Sequence, residues 1–214
     1  MADWFIATEG VKVVKDSASL WPQILTAVAA FGGVWYGQRL ITQREAKVAA
    51  AKREAELYFI STELVFRLER FAQECAEVVQ DEGEVDDKGY TRSTVKAEAF
   101  SPEDIAGDWR VLPARILYRI RELTVLIPEA NRYISVVQEF DSPPDWQCTF
   151  QERRYQYSRL GMKAVLLSKR LRQLNHMPSS RLDASKWSAQ SVLWEQWRRG
   201  RKRRAKQARQ QEDW

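Results

Sequence analysis

The chain is short of the groups that most chemistry needs. Its 214 residues include two cysteines, Cys75 and Cys148, and a single histidine, His176. The cysteines show neither metal-knuckle nor redox-pair spacing, which suits a reducing compartment and reads them as small core residues. His176 has no ligating neighbours in sequence and stands just before Pro178, where a helix-end role accounts for it. No metal and no cofactor are implied. The chain also lacks a glycine-rich phosphate loop ending in Lys-Ser or Lys-Thr, and it has no GxGxxG, HExxH, CxxC or GxSxG. Those absences remove the commonest enzyme classes. Acidic pairs such as Glu103 with Asp104, or Asp141 with Asp145, fall at expected helix starts, where the helix dipole explains them. With so few acid–base or thiol groups, the chain reads as a non-enzyme.

Long hydrophobic runs are equally scarce. One uncharged stretch stands out, Ser17 to Gln38 (SASLWPQILTAVAAFGGVWYGQ), bounded by Asp16 and Arg39. A spanning helix needs roughly 20 mostly apolar residues at about 1.5 Å each to cover a ~30 Å hydrocarbon core, and this run just supplies them. Pro22, Gln23 and Thr26 make it only moderately hydrophobic, so a buried soluble helix and a cleaved signal peptide are rival readings. The tail before the run lacks a basic n-region. Trp21 near one end and Trp35 with Tyr36 near the other sit where amphipathic rings favour the membrane interface. Arg39, Arg44, Lys47, Lys52 and Arg53 follow the run, against Lys12 and Lys15 before it, which predicts a cytoplasmic body and an external N-tail. The expected address is therefore the inner membrane, crossed once. Ala29, Gly33 and Gly37 recur every four residues, a spacing that lets a second copy approach and points to a homo-oligomer.

Charge is unevenly spread. The chain carries +5 overall, but residues 198–214 hold eight cations (Arg198, Arg199, Arg201, Lys202, Arg203, Arg204, Lys206, Arg209) and two anions, so the rest nets −1. The basic character belongs to this tail, whose like charges and Gly200 predict a mobile, frayed segment attracted to polyanions. Trp187, Trp194 and Trp197 precede it. They read more simply as core packing than as a stacking platform for single-stranded nucleic acid.

Between run and tail the pattern is helical. Residues 39–56, free of Gly and Pro, continue the first helix as a stalk on intrinsic propensity. Leu57, Ile60, Leu64, Leu68, Phe71, Cys75 and Val78 then step by three or four, with Glu63–Arg67 and Arg70–Glu74 spaced for i,i+4 pairing. Residues 81–100, with Gly83, Gly89 and the acidic cluster Asp81, Glu82, Glu84, Asp86 and Asp87, read as a solvated loop lacking the alternation of a calcium site. Ser101-Pro102-Glu103-Asp104 predicts a capped short helix. Ile116, Ile120, Leu123, Ile127, Ala130, Ile134 and Val137 form the cleanest stripe, with a kink expected at Pro128. Trp146, Phe150, Tyr157, Leu160, Ala164, Leu167, Leu171 and Leu174 form the next, interrupted by Arg153, and a last helix opens after Asp183 or Ser185. The expected fold is all-α. It consists of an N-tail (1–16), a transmembrane helix (17–38), a stalk (39–56), an antiparallel three- or four-helix bundle (57–197) and a basic tail (198–214).

The stretches DWRVLPARILYRIRELTVLIPEANRYI (108–134) and PPDWQCTFQERRYQYSRLGMKA (143–164) resemble segments of a group of uncharacterised, singly anchored bacterial proteins of about this size, some prophage-borne. The resemblance covers the anchor and roughly the middle third of the chain. It implies an anchored all-helical layout and carries no functional residues. Three functions compete on these grounds: a membrane-tethered scaffold with an unidentified protein partner, a binder of nucleic acid or anionic lipid through the tail, and an oligomeric membrane effector.

Overall fold

A computed structural model describes the backbone over 20–212 and the side chains over 33–210. The expected N-tail, the first residues of the uncharged run (17–19) and the side chains of Trp21 and Ala29 lie outside the described residues. The described chain is all-helical: α1 (Leu20–Gln80), α2 (Ala114–Glu139), α3 (Gln147–Leu174) and α4 (Ala189–Glu212). A two-residue hairpin, β1 (Glu84–Val85) with β2 (Thr91–Arg92), and two 3-10 turns, Pro102–Asp104 and Trp109–Val111, lie between α1 and α2. The chain divides into two compact units, 1–51 and 52–214.

In the first unit α1 is exposed from Gly33 to Ala51 apart from Gly37, which is half-exposed. Among the described residues no helix is long and apolar enough to cross a membrane. The spanning helix expected over 17–38 is therefore not met by them. The physical reason is composition: Pro22, Gln23 and Thr26 near the start, and three glycines, a tryptophan and a tyrosine near the end, dilute the aliphatic residues.

The second unit is a helical bundle with one core. The stripe expected on α1 is buried from Ile60 through Leu64, Leu68, Phe71, Cys75 and Val78, and Leu57 is half-buried. On α2, Ile120, Leu123 and Ala130 are buried while Ile116, Ile127, Ile134 and Val137 are partly covered. The helix runs through Pro128 without a break. On α3, Phe150, Tyr157, Leu160, Ala164, Leu167 and Leu171 are buried, whereas Leu174 is exposed at the last turn. Trp146 precedes this helix in a left-handed conformation (φ 49°).

Helix directions follow from paired side chains. Glu69 meets Arg172, and Asp81 meets Arg153, so α1 and α3 are antiparallel. Lys163 reaches Glu122 and Tyr157 donates to Asn131, so α2 is antiparallel to α3 as well. Consequently α1 and α2 run parallel, which departs from an up-and-down bundle with short loops. The segment 81–113 makes this possible by returning along α1. Thr94 and Val95 bond to Asp81, the Glu98 amide donates to Glu74, Arg67 donates to the Ser101 carbonyl, and the Asp108 amide donates to Glu56. Phe100 packs on Phe71 with ring centroids 5.5 Å apart.

The segment 81–100 is thus only partly the solvated loop expected of it. Asp81 is buried, and its carboxylate accepts from the amides of Gly83, Thr94 and Val95, from the Thr94 hydroxyl and from Arg153 Nη1 at 2.8 Å. Arg153 also donates to the carbonyls of Val95 and Val78. Burial alone raises a carboxyl pKa, but the bonds from Val95, Gly83, Thr94 and Arg153 outweigh it and hold Asp81 at about 2 against its ordinary 3.8. Arg153, the polar residue on the apolar stripe of α3, stays inside because it has this partner. Two further expectations fail locally. Ser101 makes no side-chain cap and its helix is a single 3-10 turn. Arg67, spaced to pair with Glu63, turns to Ser101 and Asp104 instead.

Two outcomes test this packing. Leu167→Ala should lower unfolding free energy by about 2–5 kcal/mol in urea denaturation, the range for a large-to-small core change. Asp81→Asn should cost on the order of 3–5 kcal/mol, because it leaves Arg153 buried without its counter-charge. A carboxyl with a depressed folded pKa contributes stability above its unfolded pKa and loses it as pH falls through the folded value. The wild type should therefore lose about 2 kcal/mol between roughly pH 4 and 2 that Asp81→Asn does not lose, as read from denaturation midpoints across that window.

Candidate polyanion-binding helix

The eight tail cations lie on α4, where alanine, glutamine, lysine and arginine supply high helix propensity. The expected mobile segment is instead a helix that docks on α3. Ala189 and Leu193 are buried, and the α3 helix presents Gly161 to them, where a Cβ would fall 2.7 Å from Leu193 Cδ1. Two turns further on, Gly200 lies against the ring of Tyr155, with no room for a Cβ. Arg204 then pairs with Glu152 and covers the Tyr155 ring at 4.0 Å. Gly200 thus works as a contact point here, and the propensity it lacks is offset by packing. Past Arg204, residues 205–210 are exposed on every side.

The remaining cations face outward. Arg198, Arg199, Arg201, Lys202, Arg203, Lys206 and Arg209 are all exposed. Arg199 pairs with Glu195 at 2.5 Å, while Arg198, Arg201, Lys202, Arg203 and Lys206 have no carboxylate at ion-pair distance among the described residues. At about 100° per residue, Arg201 and Arg198 lie toward one flank, Arg199 and Arg203 toward the other, and Lys202, Lys206 and Arg209 along the ridge between. The tryptophans do not all pack onto the bundle. Trp187 precedes α4 and is 85% exposed, and Trp194 is 45% exposed. Trp197 meets both Trp194, at a centroid distance of 5.0 Å, and the Arg201 guanidinium, 4.9 Å from its ring centre.

Among the other expected site residues, Trp35 and Tyr36 are exposed on α1, with Arg39 over the Trp35 ring at 5.3 Å, and among the described residues nothing lies against Gly33 or Gly37. Cys75 is a buried core residue whose thiol pKa is pushed up by burial and then by Glu74, but Cys148 is exposed. His176 takes φ 52° just past α3, and the Met177 amide closes back on the Arg172 carbonyl at 2.9 Å, the helix-end role expected of it. Asp86 spends its carboxylate on the Lys88 and Tyr90 amides and on Arg92. Among the described residues no group of three or more His, Cys, Asp or Glu is placed to hold a metal. An open cleft of about 620 Å³ lies beside Trp146 and Phe150, but both its cations, Arg92 and Arg153, are already paired.

The sequence groups the cations on one segment, but it does not show that this segment is a helix docked on α3. The missed signal was Gly200 within an otherwise strong helix former, which marks a close approach when a bulky ring lies opposite. Gly200→Ala should lower stability by about 1 kcal/mol, since crowding of about 1–3 kcal/mol exceeds the helix-propensity gain. In a Tyr155→Ala background the same substitution should become stabilising. Tryptophan fluorescence during urea unfolding reads both.

Compared with protein-family models, with curated proteins and with solved structures, the chain matches none.

Proposed function

We propose that this chain is a helical scaffold tethered to a bilayer through the N-terminal end of α1, with its N-tail outside and its body on the cytoplasmic side. The observation that carries the reading is the continuity of α1. The uncharged run from Leu20 to Gln38 and the first helix of the bundle belong to a single helix ending at Gln80. In the first unit Val34, Trp35, Tyr36 and Ile41 are uncovered, and lipid is the cover that suits an uncharged run ending in Trp and Tyr. Arg39, Arg44 and Lys47 follow, all exposed, as the cytoplasmic flank of an anchor would be. The span is of moderate hydropathy, so attachment is a property to measure directly. Gly33 and Gly37, with nothing against them among the described residues, leave a face through which copies of the span would associate.

Carbonate extraction of cell membranes, with a reporter fused after Trp214, tests the tether. The chain should stay in the pellet and the reporter should be active only in the cytoplasm. Release into the supernatant, or a reporter active only outside, contradicts the reading.

A further inference from the structure

We infer that α4 is a binding element for duplex DNA, held through the phosphates of both groove walls. This is independent of the tether, because every residue it uses lies on α4 or on the face of α3 against which α4 packs. Three observations together select this partner.

The first is where the charge points. The exposed cations of α4 cover about 200° of its circumference, from Arg201 on one flank through Lys202 and Lys206 on the ridge to Arg203 on the other flank. A bilayer surface is flat and faces one side of a rod, so it would leave Arg201 and Arg203 pointing sideways. A duplex groove faces a rod on three sides. The major groove of B-form DNA is about 12 Å wide and admits an α-helix, which is about 10–12 Å across with its side chains. The corresponding groove of an RNA duplex is too narrow for this.

The second is that the apolar side of α4 is already used. Leu193 and Gly200 are packed on α3, and Arg204 is spent on Glu152 and Tyr155. A surface helix that enters lipid does so by burying a continuous apolar face; on α4 Leu193 is buried against α3, and the exposed Trp194 lies on one flank beside Arg201 rather than along the outward ridge, which is cationic. The docking also fixes the cationic faces in position before any partner arrives, which lowers the ordering cost of binding.

The third concerns single strands. These are held largely by stacking bases on free aromatic faces. Trp197 is already engaged by Trp194 and by the Arg201 guanidinium, the exposed faces of Trp187 and Trp194 lie before the cations, and no aromatic residue stands among 198–209 to stack a base beside them. What remains is a charged rod about 17 Å long over 198–209, whose fit is to a phosphate lattice. Such binding is sequence-independent, since phosphate contacts position a protein without reading bases. Among the described residues, Glu195 is the acid on the outer side of α4, and Arg199 neutralises it.

The test uses the full-length chain in non-ionic detergent and a labelled duplex of about 20 base pairs with scrambled sequence, titrated across a salt series of about 50–200 mM. The logarithm of affinity should fall linearly with the logarithm of salt, with a slope near −4, as for four or five phosphates at about 0.9 each. Arg198→Gln/Arg201→Gln and Arg199→Gln/Arg203→Gln should each make the slope shallower by about 1–2 and weaken binding at least about tenfold at low salt. Lys206→Gln/Arg209→Gln should do likewise. Its side chains are exposed where the helix packs on nothing, so its effect is free of any folding change. Absence of salt-dependent duplex binding overturns the inference. So does a loss confined to one flank, an effect of none of the three variants, or tighter binding to phosphatidylserine vesicles, single-stranded DNA or duplex RNA than to duplex DNA.

Discussion

The arrangement of the body depends on one buried ion pair. Arg153 places a guanidinium on the core side of α3, and Asp81, the first residue past α1, meets it, with side-chain exposures of 11% and 1%. Taking two charges out of water is costly and is repaid only when the remaining hydrogen-bonding capacity is filled. Here it is filled: Asp81 accepts three backbone amides and a hydroxyl besides the arginine, and Arg153 reaches two carbonyls. The amides come from the connecting segment. The pair therefore joins the end of α1, the start of α3 and the chain between, and it does so in one register only.

From that junction the topology follows. Once Thr94 and Val95 are held at Asp81, the chain runs back down α1 as far as Glu56 before α2 begins. This return makes α1 and α2 parallel and leaves α3 as the helix that all the others pack against. Its buried residues cover more than half of its circumference, including the small or polar Ser158, Gly161 and Ser168. At the far end a second pair holds the same register. Glu69 accepts from Ser168 at 2.6 Å and from two nitrogens of Arg172, bonds that outweigh burial and keep its carboxyl below the ordinary range. α4 uses the remaining side of α3, approaching closely at Gly161 and Gly200.

The large apolar stripes of α1, α2 and α3 were legible because a period near 3.6 needs no knowledge of the partner. So was the role of His176, because Pro178 limits what the helix can do next. What escaped reading depends on pairs distant in sequence. Asp81 lay in a run of acids whose other members are mostly solvated, and nothing local separates it from Glu82. Arg153 looked like a defect in a stripe because its partner is 72 residues away. Ser158, Gly161 and Ser168 were passed over because patterns are counted on large side chains, whereas close helix contacts are made by small ones. Gly200 was read as a weak point for the same reason. On the candidate site, composition located the cations, but only packing distinguishes Arg204, which is spent, from its exposed neighbours.

The central claim, that the Asp81–Arg153 junction unites the return segment and α3 in one cooperative unit, is open to native-state hydrogen exchange. The amides of Gly83, Thr94 and Val95 lie outside helices and donate to one carboxylate. If the junction governs the fold, the Thr94 and Val95 amides should exchange only through global opening, with protection matching that of Leu160 and Ala164 in α3. Exchange of Thr94 and Val95 at rates typical of a surface loop, while α3 stays protected, would contradict it.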